Sequence, residues 1–134
     1  MPEKRHSKKR EAILELIRST KIHPGAQWVY DRLKPEFPDL SLGTVYRNIS
    51  IFRQEGLLAF VGVVNGEERF DGTAESHPHV CCTACGVIAD LDGTKFQETL
   101  TRLPIEIPGF SIDVRNTVFY GICAKCLETT AMGR

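Results

Sequence analysis

Two Cys-x2-Cys units, Cys82-Thr83-Ala84-Cys85 and Cys123-Ala124-Lys125-Cys126, carry the most specific chemistry in the chain. Each turn lets two thiolates face one point, and two such turns complete a tetrahedral shell around Zn²⁺. With all four positions supplied by protein, such a site is structural, and binding would tie Cys126 to the start of its domain. Redox dithiols, or reduced cysteines without a function, are the other readings of the same pairs. The fifth cysteine, Cys81, adjoins Cys82 and in a strand points to the opposite face, which suits a small buried apolar residue. No cysteine precedes Cys81, and such clustering in a reducing compartment argues for metal or redox chemistry over a disulfide scaffold.

Imidazoles and carboxylates form a second constellation. His77-Pro78-His79 puts two imidazoles on one face of an extended segment, because residues i and i+2 align there. Asp71 and Asp90 stand on either side in the chain, and His23 lies far upstream. Three imidazoles and two carboxylates would neutralise a divalent cation and leave a coordination position open. Nitrogen and oxygen donors without thiolate suit Fe²⁺ or Mn²⁺, and Zn²⁺ binds such a set tightly where it is available. Spacing alone does not bring these five residues together.

The elements that must position them can be read from periodicity. Ile13, Leu16 and Ile17 recur at helical spacing between Ser7 and Thr20, and His23-Pro24-Gly25 interrupts the pattern. Ala26, Val29, Tyr30 and Leu33 predict a helix over Ala26–Lys34 that Pro35 ends. A third helix starts at Ser41, an N-cap residue, buries Leu42, Val45, Ile49 and Phe52, and closes with Gly56 at C′. Leu58–Val64 and Glu67–Asp71 flank Asn65-Gly66, a strong signal for a two-residue hairpin turn. Three helices and a hairpin make a winged helix-turn-helix domain over residues 1–71. Gly72–Ser76 reads as a linker. Residues 77–134 suggest strands at His77–Cys82, Val87–Leu91, Phe110–Val114 and Thr117–Ile122, with a helix over Lys95–Leu103 capped by Thr94. The expected fold is therefore α+β, a winged helix followed by a small α/β domain. A unit of this second domain's size is too small for a comfortable core and needs a metal staple, a partner subunit, or both.

Composition supports the division. The 134 residues are 42% hydrophobic and 25% charged, with seventeen Lys and Arg balanced by seventeen Asp and Glu. Residues 1–58 hold eleven basic and seven acidic residues, and residues 59–134 hold six and ten. A basic first half on a neutral chain fits a polyanionic partner. The third helix offers Thr44, Tyr46, Arg47, Asn48 and Ser50 away from its apolar stripe, a mixture suited to base edges and phosphates of a major groove. No run of about 18 apolar residues is present and no apolar stretch follows the basic start, so a cytoplasmic protein without a membrane span is expected. Enzyme readings fit poorly. The histidine motif lacks the glutamate of the zinc deaminases, and a thioredoxin-like dithiol would leave the second cysteine pair without a role.

The series His23-Pro24, Thr44-Val45-Tyr46-Arg47-Asn48, Arg69-Phe70-Asp71, His77-x-His79-x2-Cys82-x2-Cys85-Gly86, Asp90 and Tyr120-Gly121-x-Cys123-x2-Cys126 resembles the ferric uptake regulator family over almost the whole chain. It is most similar to the peroxide-stress branch. The resemblance implies a winged-helix domain, an α/β dimerisation domain, and a homodimer that binds palindromic operators in double-stranded DNA as a repressor when its regulatory metal is loaded. Cys82, Cys85, Cys123 and Cys126 match the family's structural zinc ligands. His23, Asp71, His77, His79 and Asp90 match its regulatory Fe²⁺ or Mn²⁺ ligands. Asp at position 90 is typical of the peroxide sensors, in which bound iron and hydrogen peroxide oxidise a ligand histidine, here matched by His23 and His77. The alternative is an iron-, manganese- or zinc-responsive regulator of metal uptake. Val114-Arg115-Asn116-Thr117 carries no histidine where many relatives do, so a third metal site is not expected.

Overall fold

The computed structural model describes residues 2–75, 77–91, 95–103 and 106–132. The chain divides into two compact units, Met1–Glu75 and Ser76–Arg134, a boundary inside the stretch read as a linker. Thr94, the cap expected for the helix after the second strand of the C-terminal unit, lies outside the described residues.

The first unit holds helices α1 (Pro2–Arg18), α2 (Ala26–Leu33) and α3 (Leu42–Gln54), followed by strands β1 (Ala59–Val64) and β2 (Glu67–Asp71). Its core is continuous. Ile13 and Ile17 of α1, Val29 and Leu33 of α2, and Val45, Ile49 and Phe52 of α3 pack with Leu40, Leu58 and Phe70. Helix α3 is fixed at both ends. The Ser41 hydroxyl accepts the Thr44 N–H at 3.1 Å, which satisfies one of the amides that a helix start leaves without an intrahelical partner. At the other end Gly56 takes φ +74°. The Leu57 N–H then reaches the Phe52 carbonyl at 2.8 Å and the Gly56 N–H reaches Arg53 at 3.1 Å, the double closure of a Schellman motif. The β1–β2 pair turns at Asn65 (φ +52°) and Gly66 (φ +81°), the pair of positive φ values that a type I′ turn demands. Its register shifts between Phe60 and Gly62, so Val61 forms a bulge that bends and twists the ribbon.

The second unit contains β3 (His79–Cys82), β4 (Ile88–Asp90), α4 (Lys95–Arg102), β5 (Val118–Gly121) and α5 (Ala124–Met132). The sheet order is β4-β3-β5. Strand β4 pairs antiparallel to β3, setting His79 opposite Asp90, and β5 pairs parallel to β3, setting Cys82 opposite Gly121. A parallel neighbour requires a long crossover, and the chain between the end of β3 and the start of β5, which includes β4 and α4, has that length.

Two expectations change. Phe110–Val114 alternates like a strand but forms none. Asp113 closes turns instead, its carboxylate accepting the Arg115 N–H at 3.0 Å and its carbonyl accepting the Asn116 N–H at 3.2 Å. The C-terminal segment, for which no element was expected, is helix α5, rich in the helix formers Ala, Lys, Leu and Glu. Among the described residues, no helix is long and apolar enough to cross a membrane.

Candidate metal centres and nucleic-acid interface

The strongest donor set lies in the second unit. The sulfurs of Cys82, Cys85, Cys123 and Cys126 all fall within 4.8 Å of one another. Cys82 ends β3, Cys85 lies in the turn that follows, Cys123 follows β5, and Cys126 sits in the first turn of α5. The parallel β3–β5 register is what brings the two pairs side by side. The amides of Cys123 and Cys85 donate to the Cys82 sulfur at 3.4 and 3.5 Å. These N–H groups favour the thiolate and pull the Cys82 thiol down to about 6. Cys126 is pushed up to about 12, because Cys123 and then burial favour its protonated form, with Cys85 and Cys82 adding to the effect. Four sulfurs at this separation, one of them already cradled as a thiolate, fit a tetrahedral Zn²⁺ shell with no position left over. Cys81 is buried on the other side of β3, as alternation requires.

Buried imidazoles and carboxylates occur in both units. In the first, the His23 and Asp71 side chains are only 2% and 3% exposed, and Nε2 lies 3.2 Å from Oδ2. The other Asp71 oxygen accepts the Thr73 N–H at 2.8 Å, an Asx turn that fixes the carboxylate. In the second unit, His77 Nε2 and His79 Nε2 both approach one atom, Asp90 Oδ1, at 2.9 and 3.1 Å. Their rings lie 4.3 Å apart between centroids. His77 precedes β3 rather than lying within it, yet still shares a side with His79. Buried ionisable groups tied to specific partners are characteristic of functional sites. Here every donor is nitrogen or oxygen, the set that suits Fe²⁺ or Mn²⁺. The sequence did not show why these side chains are held so firmly. Arg69 donates to the His23 carbonyl through Nε and to the Ile22 carbonyl through Nη2 at 2.8 Å.

On α3, Tyr46, Arg47 and Ser50 are exposed, whereas Thr44 and Asn48 are half-buried. The Thr44 hydroxyl meets Ser41 Oγ at 2.9 Å and accepts from Arg47 Nη2 at 3.0 Å, and Asn48 Nδ2 donates to the Thr44 carbonyl at 2.9 Å. Thr44 and Asn48 thus help to brace the helix. Part of the basic excess near the N-terminus is paired, Lys9 with Asp39 at 3.0 Å and Arg10 with Glu55 at 2.6 Å.

A three-helix winged unit joined to a small sheet unit with a four-cysteine cluster defines the class of metal-responsive DNA-binding regulators. Residues 3–119 match the ferric uptake regulator family, and the chain belongs to it. The peroxide-responsive repressor PerR of Staphylococcus aureus is 31% identical over 119 residues, which span 89% of this chain and 80% of that protein. The crystal structure of the Campylobacter jejuni peroxide stress regulator is 28% identical and superposes with a TM-score of 0.67 over 92% of this chain and 93% of that one. The Helicobacter pylori ferric uptake regulator Fur, at 17% identity, shares the fold with a TM-score of 0.69 over 90% of this chain and 80% of its own. The family consists of dimeric DNA-binding transcriptional regulators rather than enzymes.

Proposed function

We propose that this protein is a cytoplasmic, homodimeric repressor of the peroxide-sensing kind. Cys82, Cys85, Cys123 and Cys126 hold structural Zn²⁺, and His23, Asp71, His77, His79 and Asp90 hold a regulatory Fe²⁺ or Mn²⁺. The observation that carries this reading is the pair of half-sites. Residues 1–71 supply a buried imidazole against a carboxylate, and residues 77–134 supply two imidazoles converging on another carboxylate. Two donors in one and three in the other fall short of a full coordination shell separately, and together they provide five nitrogen and oxygen ligands. A cation held by both would favour the arrangement of the two domains in which both reach it. That differential affinity is what metal-controlled DNA binding requires. Tyr46, Arg47 and Ser50, with Thr44 and Asn48 behind them, face a palindromic operator, one α3 per half-site.

Bound Fe²⁺ would supply the redox chemistry that activates hydrogen peroxide. The net change at the protein is transfer of one oxygen atom to the imidazole of His23 or His77, with the peroxide reduced to water. Oxidation withdraws that ring nitrogen as a donor, and the half-sites lose their shared ion. The PerR relatives support peroxide as the signal.

The test uses a duplex selected from a random library by the Mn²⁺-loaded dimer. Adding a small excess of hydrogen peroxide to Fe²⁺-loaded protein should release this DNA and add the mass of one oxygen to the peptide containing His23 or His77. The Mn²⁺ form should remain bound and unmodified. Unmodified histidines with DNA retained in the Fe²⁺ form would replace this reading with a regulator of metal uptake.

A further inference from the structure

His23 holds a backbone conformation that residues other than glycine seldom adopt. Its φ is +56°, in the left-handed region that crowds a Cβ and persists only where the surroundings over-determine it. What over-determines it comes from β2. Arg69 donates to the carbonyls of His23 and Ile22, and the Phe70 N–H donates to the Pro24 carbonyl at 2.9 Å. Three consecutive carbonyls, 22 to 24, are thereby gripped by two consecutive residues of one strand. The next residue of that strand is Asp71, whose Oδ2 lies 3.2 Å from His23 Nε2. The Arg69 side chain is 15% exposed and has Glu67 Oε1 3.8 Å from its Nε. A guanidinium fork spans two acceptors at fixed geometry, which the single ammonium of lysine does not, and it keeps its charge throughout the physiological range.

We infer that Arg69 is a positioning residue of the regulatory metal site, holding the Ile22–His23 backbone so that the imidazole faces Asp71 before any ion binds. The inference rests on the reading of His23 as a ligand. Arg69 is not itself a ligand, since a guanidinium has no lone pair to offer and bears the wrong charge. It acts on the ligand through the carbonyl oxygens of the turn. Partners of this kind, one step removed from the ion, characteristically set metal affinity by about 10- to 100-fold.

Full-length, zinc-loaded R69M, R69K, H23A and R69M/H23A proteins would be titrated with Mn²⁺, reading free ion by electron paramagnetic resonance at fixed pH and salt. R69M should bind Mn²⁺ about 10- to 100-fold more weakly, R69K should recover part of the loss, and R69M should add no further loss in the H23A background. Without Mn²⁺, carbethoxylation of His23 by diethyl pyrocarbonate, followed by mass spectrometry, should speed up in R69M while His79 reacts as before. Should R69M fail to fold, R69K carries the same comparisons. Unchanged Mn²⁺ affinity in the folded Arg69 variants, or an equal loss in the H23A background, overturns the role of Arg69. Undiminished Mn²⁺ binding by H23A instead overturns the ligand reading on which it rests.

Discussion

The two units solve the problem of a small fold in different ways. In residues 2–75 eleven buried apolar side chains from three helices, the hairpin and the segments leading into α3 and β1 form one cluster, and α3 is closed by a hydroxyl cap and a left-handed glycine. In the described part of the second unit the buried apolar residues reduce to Pro78, Cys81, Cys82, Ile88 and Leu100, while Phe110 is 75% and Tyr120 61% exposed. Apolar surface removed from water drives folding in proportion to its area. The first unit therefore has its own driving force, and the second depends on what it binds. The four-sulfur cluster and the dimeric habit of the family are the two supplements that such a unit needs.

Removing a thiolate should break this contrast most severely. Structural zinc contributes about 10–16 kcal/mol in small domains, as much as the whole stability of an ordinary one. Cys85→Ser should empty the zinc site and expose residues 77–132 to protease while a fragment of residues 2–75 survives, as mass spectrometry of the digest would show. The same cluster predicts a pH dependence. Cys126, with its pKa near 12, is protonated before zinc binds, and Cys82, near 6, is already a thiolate at neutral pH. Zinc uptake must expel the Cys126 proton, so affinity against a competing chelator should rise with pH. Below about 6 Cys82 adds its own proton to the exchange and the dependence should steepen.

Core truncation in the first unit should do the reverse. Phe52, fully buried at the centre of the cluster, costs about 3–5 kcal/mol when cut to alanine. Phe52→Ala should shift the urea transition of the helical unit while zinc content stays at that of the parent. The smallest effect is expected at the cap. Ser41→Ala removes one helix-start hydrogen bond, worth about 1 kcal/mol, and should speed amide exchange in the first turn of α3 alone.

The first unit was largely legible in the sequence because its signals are local. Apolar spacing, Ser41, Gly56 and Asn65-Gly66 each act within a few residues, and each lies where the expected element begins, ends or turns. The second unit misled wherever local pattern and tertiary pairing disagree. Phe110–Val114 alternates convincingly, but a strand exists only when a neighbour pairs with it, and here Asp113 closes turns with Arg115 and Asn116 instead. Helix α5 had its signal in Ala124, Lys125, Leu127 and Glu128, masked by reading Cys123–Cys126 only as a metal turn.

The donors themselves were fixed by residue type. Thiolates spaced two apart, imidazoles at i and i+2, and carboxylates beside them name the chemistry without coordinates, because ligand softness is a property of the side chain. Which of them meet was decided by folding. The parallel register of β3 and β5 brings Cys82 to Cys123, the antiparallel register of β4 sets Asp90 beside His79, and β2 carries Arg69 and Asp71 to a turn more than forty residues earlier. These are long-range pairings, set by the packing of whole elements and by backbone hydrogen bonds that any sequence can make, so no local pattern records them.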